Sequence, residues 1–366
     1  MRYTRIADPV VEERLAQHLS EMACDLGSLA PGCRPLAVYL GGGYGRGDGG
    51  VAVKDDGSSG LYNDLDLFVF GKNFFHCRRI DRALQTLQNK WSKLLEVEVE
   101  FSAAKNIRRL SGFSSTLMFQ ELLQGHQQIF GEYDVLREVP RLLREELPLA
   151  EGARLFLNRG AGMLFAAQRI LSLTAMSDEQ RDFAVRNLHK AALGCGDALL
   201  LMLHQYRWKS DERLAELKML QLPFAVELVE AYSEALVFKA QPQIDMQADL
   251  LERCERMRQL WCRCLVYALC GDTCPSMLKS KELRKLLISK TRQRGDSALR
   301  NALRWLLKTF HPLPLQQLTD PPLLRVLLEL CGILFENAIG GNYINPDFFS
   351  HAKSYHDFIK HWEVFN

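Results

Sequence analysis

The chain lacks most of what would tie it to thiolate metal sites, membranes or a bulk polyanion. Its ten cysteines include no Cys-x-x-Cys pair. The closest two, Cys262 and Cys264, fall in a helical pattern where residues two apart face different ways, so no zinc site is expected there. Nine histidines form no His-Glu-x-x-His or other metal-ligand set. No apolar run reaches the roughly 20 residues a spanning helix needs. The opening MRYTRIADPVVEER has no apolar signal core, so a cytoplasmic protein with no membrane partner is expected. A formal net charge of +2 gives no global reason to invoke nucleic acid or lipid. What is present is ordinary globular material: 366 residues, 25% charged and 47% hydrophobic, enough for two or three domains.

The stretch from Gly41 to Phe70, GGGYGRGDGGVAVKDDGSSGLYNDLDLFVF, organises the rest. It follows a buried-strand pattern at 36–40 and ends in a second at 65–70. Asp64 and Asp66 open that second strand, and strand alternation sends both side chains to one face. Two carboxylates that close repel each other unless a cation lies between them, which asks for a divalent metal. In the loop, glycine opens backbone angles closed to other residues and lets N–H groups approach a phosphate. Arg46 offers a guanidinium for a phosphate oxygen or for a fixing salt bridge. The loop has neither the Gly-Lys-Ser/Thr ending of a P-loop nor a Gly-x-Gly-x-x-Gly opening a helix.

In chain order, Asp8-Pro9 caps a helix of about five turns carrying Val10, Val11, Leu15, Leu19, Met22 and Leu26. After the second strand, Ile80, Leu84, Leu87 and Trp91 mark an amphipathic helix. A third strand is expected over 95–101, with Val97, Val99 and Phe101 on one face and Glu96, Glu98 and Glu100 on the other. A helix from Ser114, a short strand at 128–130 and a turn into another helix close a first domain near residue 145. Helical patterns then run over 149–173, 178–207, 210–236, 245–270, 280–291, 296–310, 320–338 and 346–363.

Strand, Gly42-Gly43, Arg46-Gly47, Asp64-x-Asp66 and a later acid on a further strand occur in that order, and together they resemble the DNA polymerase β-like nucleotidyltransferase superfamily. The resemblance covers residues 34–145. It implies an α+β protein, with a small mixed-sheet nucleotidyltransferase domain (1–145) followed by an all-α helical substrate-binding bundle (146–366). It implies that Asp64, Asp66 and a third acid, Glu98 before Glu100, hold two Mg²⁺ ions. Gly42, Gly43 and Arg46 would meet the triphosphate, with ATP the expected donor. The reaction implied is transfer of a nucleoside monophosphate to a hydroxyl, releasing pyrophosphate. A small-molecule acceptor is favoured over a protein side chain or an RNA end. Two departures stand out: the family's usual serine is Gly43, and GGVAVKDDGSSG is inserted before the acids, read as a hairpin.

In the helical part, Asn187, Lys190, Gly194 and Asp197 form a polar line on one helix face. Lys190 is a candidate phosphate ligand with Asp197 as its orienting partner or a substrate contact; the alternatives are an ordinary surface edge and a structural Lys190–Asp197 pairing. Gly194 and Gly196 leave room for a ligand or a neighbouring helix. Residues 279–308 hold ten lysines and arginines against Glu282 and Asp296, a solvated face or an RNA-binding patch. A catalytically inactive nucleotide sensor and an RNA-interaction protein are therefore the competing classes.

Overall fold

In a computed structural model the described residues are 2–54, 56–112, 115–172, 176–245, 249–271, 280–291, 297–309, 320–336 and 355–365. The protein is α+β, mostly helical with a small mixed sheet. It divides into two compact units, one comprising Met1–Leu143 with Leu236–Gln243, the other Arg144–Ala235 with Ile244–Asn366. No helix among the described residues is long and apolar enough to cross a membrane.

The first unit opens with α1 (Pro9–Ser28), whose start is set by Asp8: its carboxylate accepts from the N–H groups of Val10 and Val11, with Pro9 in the first turn. The four main strands are β1 (Ala37–Leu40), β4 (Leu65–Gly71), β5 (Val99–Phe101) and β7 (Gln127–Phe130), in the order β5-β4-β1-β7. β1 runs antiparallel to β4 and β7, whereas β4 and β5 are parallel. A two-residue strand, β6 (Lys105–Asn106), continues the parallel pairing along β4. Between β1 and β4 lie α2 (Gly42–Gly45) and a hairpin of β2 (Val51–Val53) and β3 (Ser59–Leu61). The inserted segment is thus a hairpin, and Asp56 accepts from the Ser58 N–H in its turn; Asp55 lies outside the described residues.

The sheet buries both faces. Val38, Leu40, Leu65, Leu67 and Val69 pack against Leu15, Leu19, Met22 and Leu26 of α1 and against Ile80, Leu84 and Trp91 of α3 (Phe74–Leu95). Ala37, Tyr39, Phe68 and Phe70 face Phe119, Leu122 and Leu123 of α4 (Leu117–Gln124). The strand expected over 95–101 is shorter. α3 continues to Leu95 and Glu96 is its left-handed cap at φ 57, so only Val99–Phe101 pairs in the sheet. Strict alternation there reflects a helix end followed by a strand, and the two periods happen to agree over a few residues. The helix expected after β7 is only a 3₁₀ turn at Arg144–Glu146.

The second unit contains α5 (Leu149–Ser172), α6 (Asp178–Met202), α7 (Ser210–Met219), α8 (Ala225–Ala240, ending in the first unit), α9 (Leu250–Cys270), α10 (Ser280–Thr291), α11 (Ala298–Thr309), α12 (Pro322–Glu336) and α13 (Tyr355–Phe365). The single helix expected over 210–236 is two, with Pro223 in the break, a residue that cannot continue a helix. Of the helix expected over 346–363, residues 346–354 lie outside the described residues. Trp261 is fully buried and donates to the Phe156 carbonyl at 3.0 Å, tying α9 to α5.

His189 on α6 supplies a stability prediction. Burial, reinforced by the Arg253 guanidinium 3.2 Å away, lowers its pKa from 6.5 to about 4. Below pH 6.5 the unfolded chain binds a proton here that the folded chain refuses, so this contribution is full above pH 6.5 and lost as pH falls towards 4. Urea unfolding at about pH 7 and about pH 4.5 should show His189→Gln losing about 2 kcal/mol less than the wild type.

Candidate functional site

The glycine loop and the acid strand meet through one contact. Gly42 has φ +58, and a Cβ placed on it would lie 1.8 Å from Asp66 Oδ2. The Asp66 carboxylate therefore occupies the space a side chain at 42 would take, and only glycine allows the loop to close over it. The Gly41 N–H donates to the Asp66 carbonyl at 2.9 Å, fixing the same approach through the backbone. Gly43 is different: a Cβ there would meet only ordinary contacts, 3.6 Å from the Asp48 carbonyl oxygen and Gly49 Cα. Position 43 accepts a serine sterically.

Tyr44 holds the insertion to the loop. Its buried hydroxyl donates to the Gly50 carbonyl at 2.7 Å and accepts from the N–H groups of Tyr62 and Asn63 at 3.0 and 3.3 Å. Burial, with the Asp64 charge adding to it, pushes this phenol up to about 12. Asn63 accepts from the Gly50 N–H at 2.8 Å, so both ends of the hairpin are pinned immediately before Asp64. Arg46 forms an ion pair with Glu121 of α4 at 3.4 Å, which is the fixing salt bridge. Asp48 meets Arg5 at 2.8 Å and Lys239 at 3.4 Å.

Register decides which acid stands beside Asp66. In the parallel pairing of β4 and β5, Leu65 is opposite Val99, Asp66 opposite Glu100 and Leu67 opposite Phe101. Residues opposite one another in a sheet share a face, so Glu100 lies next to Asp66. Glu98 precedes β5 and is exposed, with its carbonyl accepting from the Leu65 N–H at 2.8 Å. Asp64 and Asp66 are half-buried, and Glu100 is exposed. Among the described residues, no three His, Cys, Asp or Glu side chains are grouped closely enough to hold a metal ion. Asp64, Asp66 and Glu100 present carboxylate oxygens, the ligand type Mg²⁺ takes, and Gly42 leaves space for the Asp66 carboxylate.

Lys105, which the sequence pattern did not single out, sits on β6 opposite Phe70. Its ammonium lies 5.7 Å from the Phe68 ring centroid. Burial lowers its pKa, with Asp81 and Glu100 opposing. Its register opposite Phe70 puts Lys105 on the sheet face that carries Asp66 and Glu100. Only its place four residues after a short strand could have flagged it, and that strand is misread when 95–101 is taken as one element.

Lys190 is half-buried on α6 in the second unit. The rest of its polar line is packing. A Cβ on Gly194 would lie 2.2 Å from Arg159 Cγ, and one on Gly196 2.6 Å from the Tyr232 ring, so both glycines admit neighbouring side chains. Asn187 donates to the Phe183 carbonyl at 2.8 Å. Asp197 pairs with Arg213 at 2.8 Å and accepts from the Tyr232 hydroxyl at 2.7 Å. Within the basic run, Arg284 is held by Asp320 at 2.7 and 2.9 Å, and residues 292–296 lie outside the described residues.

No protein-family model matches the chain, nor does any curated protein or solved structure.

Proposed function

We propose that this protein is a metal-dependent nucleotidyltransferase of the DNA polymerase β-like type, with its catalytic part in residues 1–145 and a helical substrate-binding part in 146–366. It would transfer a nucleoside monophosphate from a triphosphate, ATP being the expected one, to the hydroxyl of a small acceptor. The observation that carries this reading is the convergence on one sheet face of the Gly42 backbone, Asp66 and Glu100.

Asp64, Asp66 and Glu100 would hold Mg²⁺, which when bound supplies positive charge against the triphosphate and the leaving pyrophosphate. The backbone N–H groups at Gly42 and Gly43 would meet phosphate oxygens, an arrangement that needs no side chain. Glu100, exposed at the strand, would take the proton of the attacking hydroxyl. The acceptor oxygen then bonds to the α-phosphorus as the bond to the β-phosphate oxygen breaks, and pyrophosphate leaves. Tyr44 and Arg46 act as positioning residues, one tying the hairpin to the loop and the other tying the loop to α4.

Incubation with each labelled triphosphate, Mg²⁺ and a size-fractionated lysate tests the reading. Label should pass to the small-molecule fraction with stoichiometric pyrophosphate release. Triphosphate binding without transfer under any condition would overturn it in favour of a sensor. A separate expectation concerns the departure at position 43. Because the site has room for a hydroxymethyl group, Gly43→Ser should melt within a degree or two of the wild type and bind triphosphate about tenfold more tightly, as a hydrogen bond to a charged acceptor would give. Calorimetric titration with a non-hydrolysable triphosphate reads this directly.

A further inference from the structure

Helix α11 carries three parallel lines of side chains. Asn301, Trp305 and Thr309 are buried. Arg300, Arg304 and Lys308 form a second, exposed line. Leu299, Leu303 and Leu307 form a third, with Leu306 beside it, and these leucines are 71%, 49%, 70% and 39% exposed. Residues four apart stack on one helix face, so a solvent-facing leucine stripe runs beside a cationic one with no acid anywhere on the helix. Single exposed leucines need no explanation, but a contiguous stripe with a charged border marks a contact surface.

The same unit carries the matching surface. A cavity of about 540 Å³ lies between α6, α8 and α9. Its apolar floor is Leu188, Ala192, Met257 and Leu260, and six carboxylates against two arginines line it. Glu230 and Glu234 stand exposed one helical turn apart on α8, with Glu252 on α9. His189 adds no positive charge near neutral pH, since burial holds it neutral.

We propose that α11 of one copy docks in the acidic α6/α8/α9 cavity of a second copy, so that the protein self-associates. The leucine stripe covers the apolar floor, and Arg300 and Arg304 meet the carboxylates on the rim. An anionic lipid surface would accept the leucines and arginines but would leave the acidic cavity unmatched and repelled; a second copy matches both. Because the contact joins two different patches, reciprocal docking closes a two-fold dimer, and one-way docking builds longer assemblies.

Sedimentation velocity of the full chain tests this. At about 50 mM salt the mass should exceed the 41.8 kDa monomer in a concentration-dependent way, and at about 500 mM it should fall back towards it as the charges are screened. Leu303→Asp and Arg300→Glu/Arg304→Glu should each be monomeric with unchanged melting temperature, since the altered side chains are exposed. Glu230→Lys/Glu234→Lys should also be monomeric. Mixing it with Arg300→Glu/Arg304→Glu should restore one association, because one variant keeps the helix and the other keeps the cavity. A wild type that stays monomeric across the concentration range overturns the proposal, as does failure of the mixture to associate. Co-sedimentation with phosphatidylglycerol vesicles by a strictly monomeric wild type also overturns it, in favour of a lipid surface.

Discussion

Asp66→Asn should lower Mg²⁺-dependent pyrophosphate release by about a thousandfold or more, with the melting temperature held within a few degrees. The side chain sits in a space kept open by Gly42, 1.8 Å from where a Cβ would stand. Asparagine has the same shape, so the fold loses no packing, while the negative charge that the proposed ions require is gone. The second arm of this experiment separates the two candidate third acids. Glu100 is opposite Asp66 across the parallel pair and Glu98 is not, so Glu100→Gln should fall nearly as far as Asp66→Asn, whereas Glu98→Gln should stay within about tenfold of the wild type. Single-turnover assays at saturating triphosphate give the comparison. Equal loss in both glutamate variants would place the reacting groups further along the strand, and full activity in Asp66→Asn would end the nucleotidyltransferase reading.

Much of this arrangement is legible in the sequence because its signals are local. Asp8-Pro9 writes the start of α1 into two residues, and alternation at 65–70 separates the sheet's two faces without reference to any partner. That Asp64 and Asp66 lie close to the glycine loop follows from the loop connecting their two strands. Which of Glu98 and Glu100 stands opposite Asp66 does not follow, because register between β4 and β5 is a long-range property, fixed by which apolar residues must enter the core. Arg46 illustrates a different limit. A guanidinium beside glycines suits phosphate and carboxylate equally, and its partner Glu121 is distant in sequence. The polar line from Asn187 to Asp197 misleads for a related reason: helical spacing identifies a face, whereas the neighbouring helices decide whether that face meets a ligand or other protein groups. Gly194 and Gly196 make room for Arg159 and Tyr232, so small residues there record close helix packing.

The network at the end of that line carries the largest expected stability effect. Arg213 on α7 is 5% exposed. Its Nε lies 2.8 Å from Asp197 Oδ1 and donates to the Tyr232 hydroxyl at 3.1 Å. Its Nη1 donates to the Tyr206 hydroxyl and to the carbonyls of Arg207 and Trp208, at 3.1, 2.9 and 3.1 Å. One guanidinium thus ties α6, α8 and the approach to α7 together, a task its planar fork performs and an ammonium cannot. Removing it strands the Asp197 charge and two backbone carbonyls. Arg213→Met should therefore cost about 3 to 5 kcal/mol, a drop of roughly 6 to 20 °C in melting temperature for a unit of this size. Arg213→Lys should recover little of it. Arg213→Met/Asp197→Leu should be more stable than Arg213→Met alone, because the stranded charge leaves with its partner. Thermal and urea unfolding of the wild type, Arg213→Met, Asp197→Leu and the double variant closes the cycle. A loss below about 1 kcal/mol in Arg213→Met would mean that the network contributes little. A further variant tells structure from recognition at Asp197: if its carboxylate serves the fold, Asp197→Asn lowers the unfolding midpoint and leaves triphosphate affinity unchanged.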